Sequence, residues 1–286
     1  MDNQYYRPQG FSILPPVVKN LLIINILMYF ATVVVEKYGI HLYDWLGLHF
    51  WESDLFHPYQ FITYMFMHGN LAHLFFNMFA LWMFGAAIEN YWGAKRFLIF
   101  YLVTGIGAAL THYGIIAWQM LPTLNYLDAC IANPTIETIN ALAQHHKFVI
   151  DPNNAELING FEIFKENVDN INYGSNILES KNAINEYLSQ YREYLVSQPN
   201  IVGASGSIFG LLLAFGMMFP NSLIYLYFFI PIKAKWFVIG YGLIELIYGI
   251  SGTSDGVAHF AHLGGMLFGL LLILYWRKKA KQHWEY

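Results

Sequence analysis

The sequence predicts an all-α membrane protein: a six-transmembrane-helix bundle with an extracytoplasmic helical insert between helices 3 and 4. Composition is the first reason, because 56% of the 286 residues are hydrophobic, only 12% are charged and the mean hydropathy is +0.38. Soluble proteins carry about twice that share of charge. The second reason is that several segments approach the roughly 20 apolar residues that cross a bilayer. We therefore expect the lipid bilayer as the surroundings and no nucleic-acid partner.

Six apolar segments are the expected spans, at roughly 17–36, 71–90, 96–118, 202–219, 235–251 and 257–276. Basic residues cluster before the first span, between spans two and three, between spans four and five, and after span six; they are Arg7, Lys19, Lys95, Arg96, Lys233, Lys235, Arg277, Lys278, Lys279 and Lys281. With six spans all four clusters fall on one side, so the positive-inside rule places both termini in the cytoplasm.

The N-terminal segment, residues 1–14, lacks the basic, apolar and small-residue pattern of a cleavable signal peptide, so the first apolar segment is expected to remain as a span. The two short tails are compatible with a bacterial inner membrane. Between spans one and two, the aromatic-rich stretch 37–70 is expected to lie in the membrane interface. The chain then divides into spans 1–3 (1–118), an insert (119–200), spans 4–6 (201–276) and a cytoplasmic basic tail (277–286).

The insert, residues 119–200, differs in charge from the rest of the chain. It contains ten acidic and four basic residues, a balance of −6, whereas the whole chain carries −4. Apolar residues recur at helical spacing from Ile184 to Leu195, and Asn133-Pro134 is typical of a helix N-terminus. We expect two or three helices outside the membrane, with no chemistry of their own.

A serine between glycines opens the fourth span, in the run Gly203-Ala204-Ser205-Gly206. We expect Ser205 a few residues into the helix, where backbone N–H groups have no intrahelical partner and can stabilise an oxyanion. Gly203 and Gly206 leave room for the backbone of a substrate. Helix packing is the alternative interpretation, because Gly and Ser are common between membrane helices.

A histidine in span six favours the catalytic interpretation of Ser205 over the packing interpretation. His262 lies seven residues after Asp255, about 10 Å along a helix, at a depth comparable to that of Ser205. Histidine is the side chain best suited to accept a hydroxyl proton near neutral pH. Small residues at Gly206 and Gly210, and at Gly265 and Gly269, would let spans four and six pack closely. We expect Ser205 and His262 to come within hydrogen-bonding reach.

No acid is expected to orient this histidine. Asp255 is two turns away on the same helix, Glu245 lies in span five and Glu89 lies near the cytoplasmic end of span two. We therefore predict a Ser205–His262 dyad, with Phe209 holding the imidazole by stacking.

Span two carries a third polar cluster, His68, His73 and Asn77. His73 and Asn77 are four residues apart on one helix face and are candidates to donate to an oxyanion; hydrogen bonding between helices is the alternative. A metal site built from His68, His73, His259 and His262 is not expected, because no HExxH motif and no carboxylate accompany them. We expect no metal and no cofactor.

These three motifs, in this order, resemble the rhomboid family of intramembrane serine proteases. The family's Gly-x-Ser-Gly corresponds to residues 203–206, its Ala-His-x-x-Gly-x-x-x-Gly to residues 261–269, and its His-x-x-x-x-His-x-x-x-Asn to residues 68–77. The resemblance covers roughly 16–118 and 201–276. The chain departs from many members at Pro58-Tyr59-Gln60 in the first loop, at Phe209, and in the length of 119–200.

The resemblance implies that Ser205 is the nucleophile and His262 the general base. It also implies that the Ser205 N–H, His73 and Asn77 stabilise the oxyanion, and that span five gates the lateral entry of substrates. The function so implied is a serine endopeptidase that cleaves single-span membrane proteins near the outer face. The insert then has three open roles, namely shielding the site, recognising substrates or binding another protein.

Two other function classes are carried beside this one. The first is a catalytically inactive rhomboid-like protein that binds membrane helices, against which the intact Ser205, His262 and Asn77 argue. The second is a metal- or haem-binding membrane protein, which would contain bound metal after purification and respond to chelators.

Overall fold

The structure is a computed structural model that describes residues 11–226, 229–252 and 257–282. Asp255 and Arg7 lie outside the described residues. The helices within them are α1 (Pro16–Glu36), α2 (Leu42–Leu46), α3 (Gln60–Thr63), α4 (Leu71–Ala80), α5 (Ala86–Trp92), α6 (Ala94–Ala132), α7 (Ile136–His145), α8 (Ala155–Asn172), α9 (Ile177–Ser197), α10 (Ser205–Met218), α11 (Ala234–Ser251) and α12 (His259–Gln282).

Strands are few and short in the described part of the chain. They are β1 (Leu48–His49), β2 (Asn200–Ile201), β3 (Leu223–Leu226) and β4 (Ile230–Lys233). Strands β3 and β4 form an antiparallel pair in which Leu223 lies opposite Lys233. The chain divides into two compact units. The first contains the residues up to Leu48, His57–Tyr113 and those from Asn200 onward; the second contains His49–Phe56 and Gly114–Pro199.

Four helical stretches among the described residues are long and apolar enough to cross a membrane: Pro16–Glu36, Leu71–Trp92, Ala94–Ala132 and His259–Lys279. They overlap predicted spans one, two, three and six. The second stretch is continuous through a π-helical segment, Leu81–Gly85, between α4 and α5. Helix α10 is apolar but has 14 residues, so the helical membrane class is confirmed and the count of six spans stays a prediction.

Three local predictions differ from the structure. Helix α6 continues to Ala132, well beyond the predicted end of span three, because hydropathy reports where the chain leaves lipid and not where its helix ends. Ser205 is the first residue of α10 and not several residues inside it. The cap of α7 is Thr135, whose hydroxyl accepts from the Thr138 N–H, whereas Asn133-Pro134 precedes it.

Small residues set the packing of α10 in the first unit. A Cβ placed on Gly206 would lie 2.3 Å from the Ala108 Cβ of α6, and one on Gly265 of α12 would lie 1.9 Å from the Gly206 carbonyl oxygen. A Cβ on Gly269 would meet the Gly210 Cα at 3.4 Å. The approaches at Gly206 and Gly265 leave no room for a side chain, so the predicted close packing of the fourth and sixth apolar segments is confirmed.

The start of α1 is closed by a carboxylate from α5. The two oxygens of Glu89 accept the N–H groups of Val17 and Val18, at 2.9 and 2.8 Å. The first N–H groups of a helix lack intrahelical partners and attract negative charge. This pairing explains a carboxylate that is only 3% exposed in an apolar bundle.

The second unit has its own apolar core, formed by α7, α8, α9 and the end of α6. Its centre includes the predicted helical stripe of α9, in which Ile184, Tyr187, Leu188 and Tyr191 are buried. The Tyr191 hydroxyl accepts from the Val149 N–H at 3.2 Å and lies 2.8 Å from His146 Nε2. Burial lowers the pKa of His146, which favours the neutral ring at pH 7.

Arg192 joins two acidic side chains of the second unit. Its Nε lies 2.6 Å from Asp128 Oδ1, and its Nη2 also binds Glu52. Hydrogen bonds to Asp128 foremost, and to Glu52, raise the pKa of Arg192. We expect Arg192→Ala to destabilise this unit by about 1 kcal/mol, since a partly exposed but doubly paired guanidinium is lost. The rate of proteolytic cleavage within 114–199 should then rise about fivefold under native conditions.

Lys165 offers the matched control for Arg192. It pairs with Glu162 one turn earlier on α8, at 2.6 Å and with both side chains at least half exposed. Such exposed pairs contribute about 0.3 kcal/mol, so Lys165→Ala should change the cleavage rate less than twofold. Equal rates for the two variants would show that the Arg192 pairs do not stabilise the unit.

Candidate active site

Ser205 is held at the N-terminus of α10 by the loop that precedes it. Gly203 has φ +123°, a conformation that residues other than glycine rarely adopt. Its N–H donates to the Tyr64 carbonyl at 2.9 Å. The Tyr64 hydroxyl in turn donates to the Gly105 carbonyl of α6 at 2.7 Å. Since Ser205 is the first helical residue, its N–H belongs to the group without an intrahelical acceptor.

The predicted contact between Ser205 and His262 is present. Ser205 Oγ lies 2.9 Å from His262 Nε2, although the two residues are 57 apart in the chain. His262 is 8% exposed, and Ser205 is half-buried. The hydroxyl and the imidazole are therefore within reach for proton transfer.

Phe209 stacks on His262, as the sequence predicts. The two rings lie parallel, with centroids 4.1 Å apart and planes at 5°. Tyr241 of α11 also stacks on Phe209, with centroids 5.2 Å apart and planes at 9°. This stacking limits the rotation of the imidazole.

The prediction that no acid orients His262 is wrong. Glu245 Oε2 of α11 lies 2.8 Å from His262 Nδ1 and 2.7 Å from His259 Nδ1. The three residues are 5–8% exposed. The sequence does not predict this contact, because the rotation of α11 about its axis cannot be read from an apolar segment. The available signal was the carboxylate itself, since an ionisable group within such a segment needs a partner.

His73 and Asn77 of α4 pack beside the loop before Ser205. A Cβ on Gly203 would lie 2.8 Å from His73 Nε2 and 3.7 Å from Asn77 Nδ2. The helix start places them, because the Asn70 side chain accepts from the His73 N–H at 2.8 Å. Among the residues that the structure describes, no acceptor meets the buried Asn77 Nδ2. Two potential donors thus face the glycine loop, as an oxyanion site requires.

The remaining predicted residues support this arrangement from a distance. His68 is buried, and its ring centroid lies 5.1 Å from that of His73. Gly206, Gly265 and Gly269 lie where α10 packs against its neighbours, and the predicted role of Gly206 in the approach of substrate stays a prediction.

One set of side chains in the described residues has the composition of a metal site. The ligand atoms of Glu245, His259 and His262 all lie within 4.8 Å of one another. This set shares only His259 and His262 with the four histidines of the sequence-based metal site, and it contains a carboxylate, Glu245. Two histidines and a carboxylate are common zinc ligands, so hydrogen bonding and metal binding are both chemically open to this group.

The site therefore combines four groups that acyl transfer uses: a hydroxyl, an imidazole bonded to it, a carboxylate bonded to the imidazole, and N–H donors nearby. His259 and Glu245 are the residues that sequence reasoning missed. His259 and His262 are three residues apart and share a helix face, which is why both reach the same oxygen.

Comparison with known proteins identifies related sequences. A family model described as the Rhomboid domain matches residues 56–124 and 181–279, which is more than half of the chain. The match leaves out residues 125–180, most of the segment for which an insert is predicted.

Three relatives illustrate the range of similarity. Rhomboid-like protein 11, chloroplastic, of Arabidopsis thaliana is 34% identical over 103 residues, 36% of this chain and 32% of the relative. Rhomboid protease GluP of Bacillus subtilis is 38% identical over 55 residues, 19% of this chain and 11% of the relative. Rhomboid protease GlpG of Salmonella choleraesuis is 28% identical over 98 residues, 34% of each chain. The chain thus spans about a third or less of the length of these relatives.

Proposed function

The chain belongs to the rhomboid family, and from this premise we propose that it is an intramembrane serine endopeptidase. The observation that carries the proposal is the 2.9 Å contact between Ser205 Oγ and His262 Nε2. This contact joins two of the three motifs on which the resemblance depends. Relatives named as proteases support the same class of reaction.

In the proposed reaction, Ser205 Oγ attacks the carbonyl carbon of the scissile peptide bond while its proton moves to His262 Nε2. The oxyanion so formed accepts hydrogen bonds from the Ser205 N–H, His73 and Asn77. His262 then gives the proton to the leaving nitrogen, and the C–N bond breaks to leave an acyl-enzyme on Ser205. A water molecule, activated by His262, releases the second product. The steps need no metal and no cofactor.

The proposed substrates are single-span membrane proteins, cleaved where helix-breaking residues expose the backbone near the outer face. The four clusters of Lys and Arg support an orientation with both termini in the cytoplasm. In this proposal the setting is the inner membrane of a bacterium, and α11 gates the entry of substrate from the lipid. The segment 119–200 is then an acidic extracytoplasmic module that shields the site, recognises substrates or binds another protein.

A fluorophosphonate tests whether Ser205 is a competent nucleophile. Its phosphorus is attacked by an activated serine, with loss of fluoride, so the protein reconstituted in lipid should be labelled on the peptide that contains Ser205. The rate at which a model single-span substrate is cleaved should fall in proportion to the fraction of protein molecules that carry the label. Protein unfolded beforehand should not react.

Ser207 is an internal control in this experiment, because it lies two residues further on the same helix and donates to the Tyr101 carbonyl at 2.7 Å. It should carry no label. Full-length protein that is folded in lipid, unlabelled and inactive would instead support a rhomboid-like protein that binds membrane helices without cutting them.

A further inference from the structure

We propose that Glu245 is a positioning residue for His262, so that the site operates as a Ser205–His262–Glu245 triad with His259 as a second donor to the carboxylate. This inference rests on the proposed function and adds a role that the three family motifs do not contain. It concerns a side chain in α11, outside all of those motifs.

The hydrogen-bond geometry determines which ring nitrogen carries the proton. An ionised carboxylate only accepts, so Glu245 Oε2 requires N–H groups on His262 Nδ1, at 2.8 Å, and on His259 Nδ1, at 2.7 Å. A neutral His262 with its proton on Nδ1 has a lone pair on Nε2. That nitrogen faces Ser205 Oγ at 2.9 Å, which is the form a general base needs.

Burial explains why two histidines meet one oxygen. Glu245 is 5% exposed, and a charge removed from water is costly unless hydrogen bonds replace its hydration. Its neighbours along α11, Ile244 and Leu246, are exposed apolar side chains. The second donor, His259, lets the carboxylate keep its charge while it also binds His262.

The carboxylate acts when His262 becomes charged. As the Ser205 proton arrives at Nε2, the imidazolium keeps its Nδ1–H bond to Glu245, and opposite charges at this distance attract strongly in a site with little water. The proton then passes from Nε2 to the leaving nitrogen, and the carboxylate stays ionised throughout. Glu245 thus touches neither substrate nor reacting atoms and works through His262.

The distances among Glu245, His259 and His262 favour hydrogen bonds over a bound metal ion. Two ligands of a tetrahedral zinc ion, each about 2.1 Å from the metal, lie about 3.4 Å apart. The Oε2–Nδ1 separations here are 2.7 and 2.8 Å, which are hydrogen-bond lengths. A metal ion would require both separations to lengthen.

Glu245→Gln tests the proposal in the full-length protein. The amide is nearly isosteric, but its NH2 group can donate to Nδ1 and favour the wrong tautomer. We expect kcat to fall about 10³-fold with KM changed less than threefold. The acidic limb of the pH profile of kcat/KM should move to lower pH, because the imidazolium loses its counter-charge. The kcat of Glu245→Asp should be at least tenfold higher than that of Glu245→Gln.

Four other titratable side chains near His262 keep their identity in this comparison. They are His73 of α4, His112 of α6, Tyr241 of α11 and His259 of α12. Because His259 bonds the same carboxylate, the pH profile of Glu245→Gln reports the loss of the carboxylate together with its effect on His259, whereas nitrogen-15 NMR reports His262 by itself.

Glu89→Gln is the matched control, since Glu89 is the other well-buried carboxylate of the first unit among the described residues and caps α1. It should lower the stability of the protein, leave kcat within threefold of the wild-type value and leave the pH profile unchanged. A Glu245→Gln variant that behaves like Glu89→Gln would overturn the proposal. So would a stoichiometric metal ion in purified wild type that is lost from Glu245→Gln.

A measurement independent of activity separates this inference from the proposed function. Nitrogen-15 NMR of histidine-labelled protein, assigned with His262→Asn, reports which nitrogen of His262 is protonated. The expected result is Nδ1–H in wild type and a shift toward Nε2–H in Glu245→Gln. Nε2–H in wild type would overturn the proposal even if cleavage is observed, whereas Nδ1–H in a protein that cleaves nothing would place the failure with the protease function.

Discussion

Replacing Ser205 with alanine is expected to lower kcat/KM for a single-span substrate about 10⁴-fold or more, because the nucleophilic oxygen is removed. His262→Ala should have a similar effect, since the Ser205 hydroxyl then has no base at 2.9 Å. The double variant should be no slower than either single one, because two groups that act in one step do not contribute additively. Cleavage rates in proteoliposomes, compared at equal protein concentration, measure the effects of the two single variants and of the double variant.

Ser207→Ala is the control for this prediction. Ser207 is buried on the same helix, and its hydroxyl donates to Tyr101. Its loss should lower stability by about 1 kcal/mol and leave kcat/KM within about threefold. Cleavage that survives Ser205→Ala, or falls equally in Ser207→Ala, would contradict a serine mechanism at Ser205.

Gly265→Ala is expected to lower the free energy of unfolding by about 3 kcal/mol, through overpacking that no side-chain rotation relieves. The new Cβ would lie 1.9 Å from the Gly206 carbonyl oxygen, so α10 and α12 must separate. Their separation would also pull Ser205 away from His262. We therefore expect cleavage to fall at least tenfold together with the stability. Unfolding in a graded series of denaturing detergent measures the first effect, and the liposome assay measures the second.

Gly240→Ala distinguishes packing from helix propensity. Gly240 lies within α11, and a Cβ there would meet nothing within 4 Å. Alanine is the better helix former by about 1 kcal/mol, so this variant should be neutral or stabilising. If Gly265→Ala proved as stable as Gly240→Ala, the close approach of α10 and α12 would not exist in the folded protein.

The spacing of small and polar residues predicted much of the site. Ser205 is the only serine in residues 203–206, and His262 is the only histidine in residues 261–269. The glycines in both segments predicted that the two helices pack closely. Such patterns are local, and their consequences need only that two helices meet along their small faces. The helical membrane class was predictable for a similar reason, because lipid requires long apolar helices whatever their arrangement.

The contact between Glu245 and His262 was beyond sequence reasoning. A carboxylate in an apolar segment indicates that a partner exists, but not which one, because a rotation of α11 by half a turn would direct it elsewhere. The length of α6 was missed for another reason. Polar residues after position 118 end the apolar run, while the backbone hydrogen bonds of the helix continue without regard to hydropathy.

The sequence by itself determined the membrane class, the family and the residues that carry the proposed chemistry, since each depends on residue type and spacing along the chain. Only the tertiary structure decided that Glu245 and His259 join His262, and that Ser205 begins its helix. These facts depend on the rotation and register of α10, α11 and α12 against one another. Packing sets both, through contacts between residues far apart in the chain.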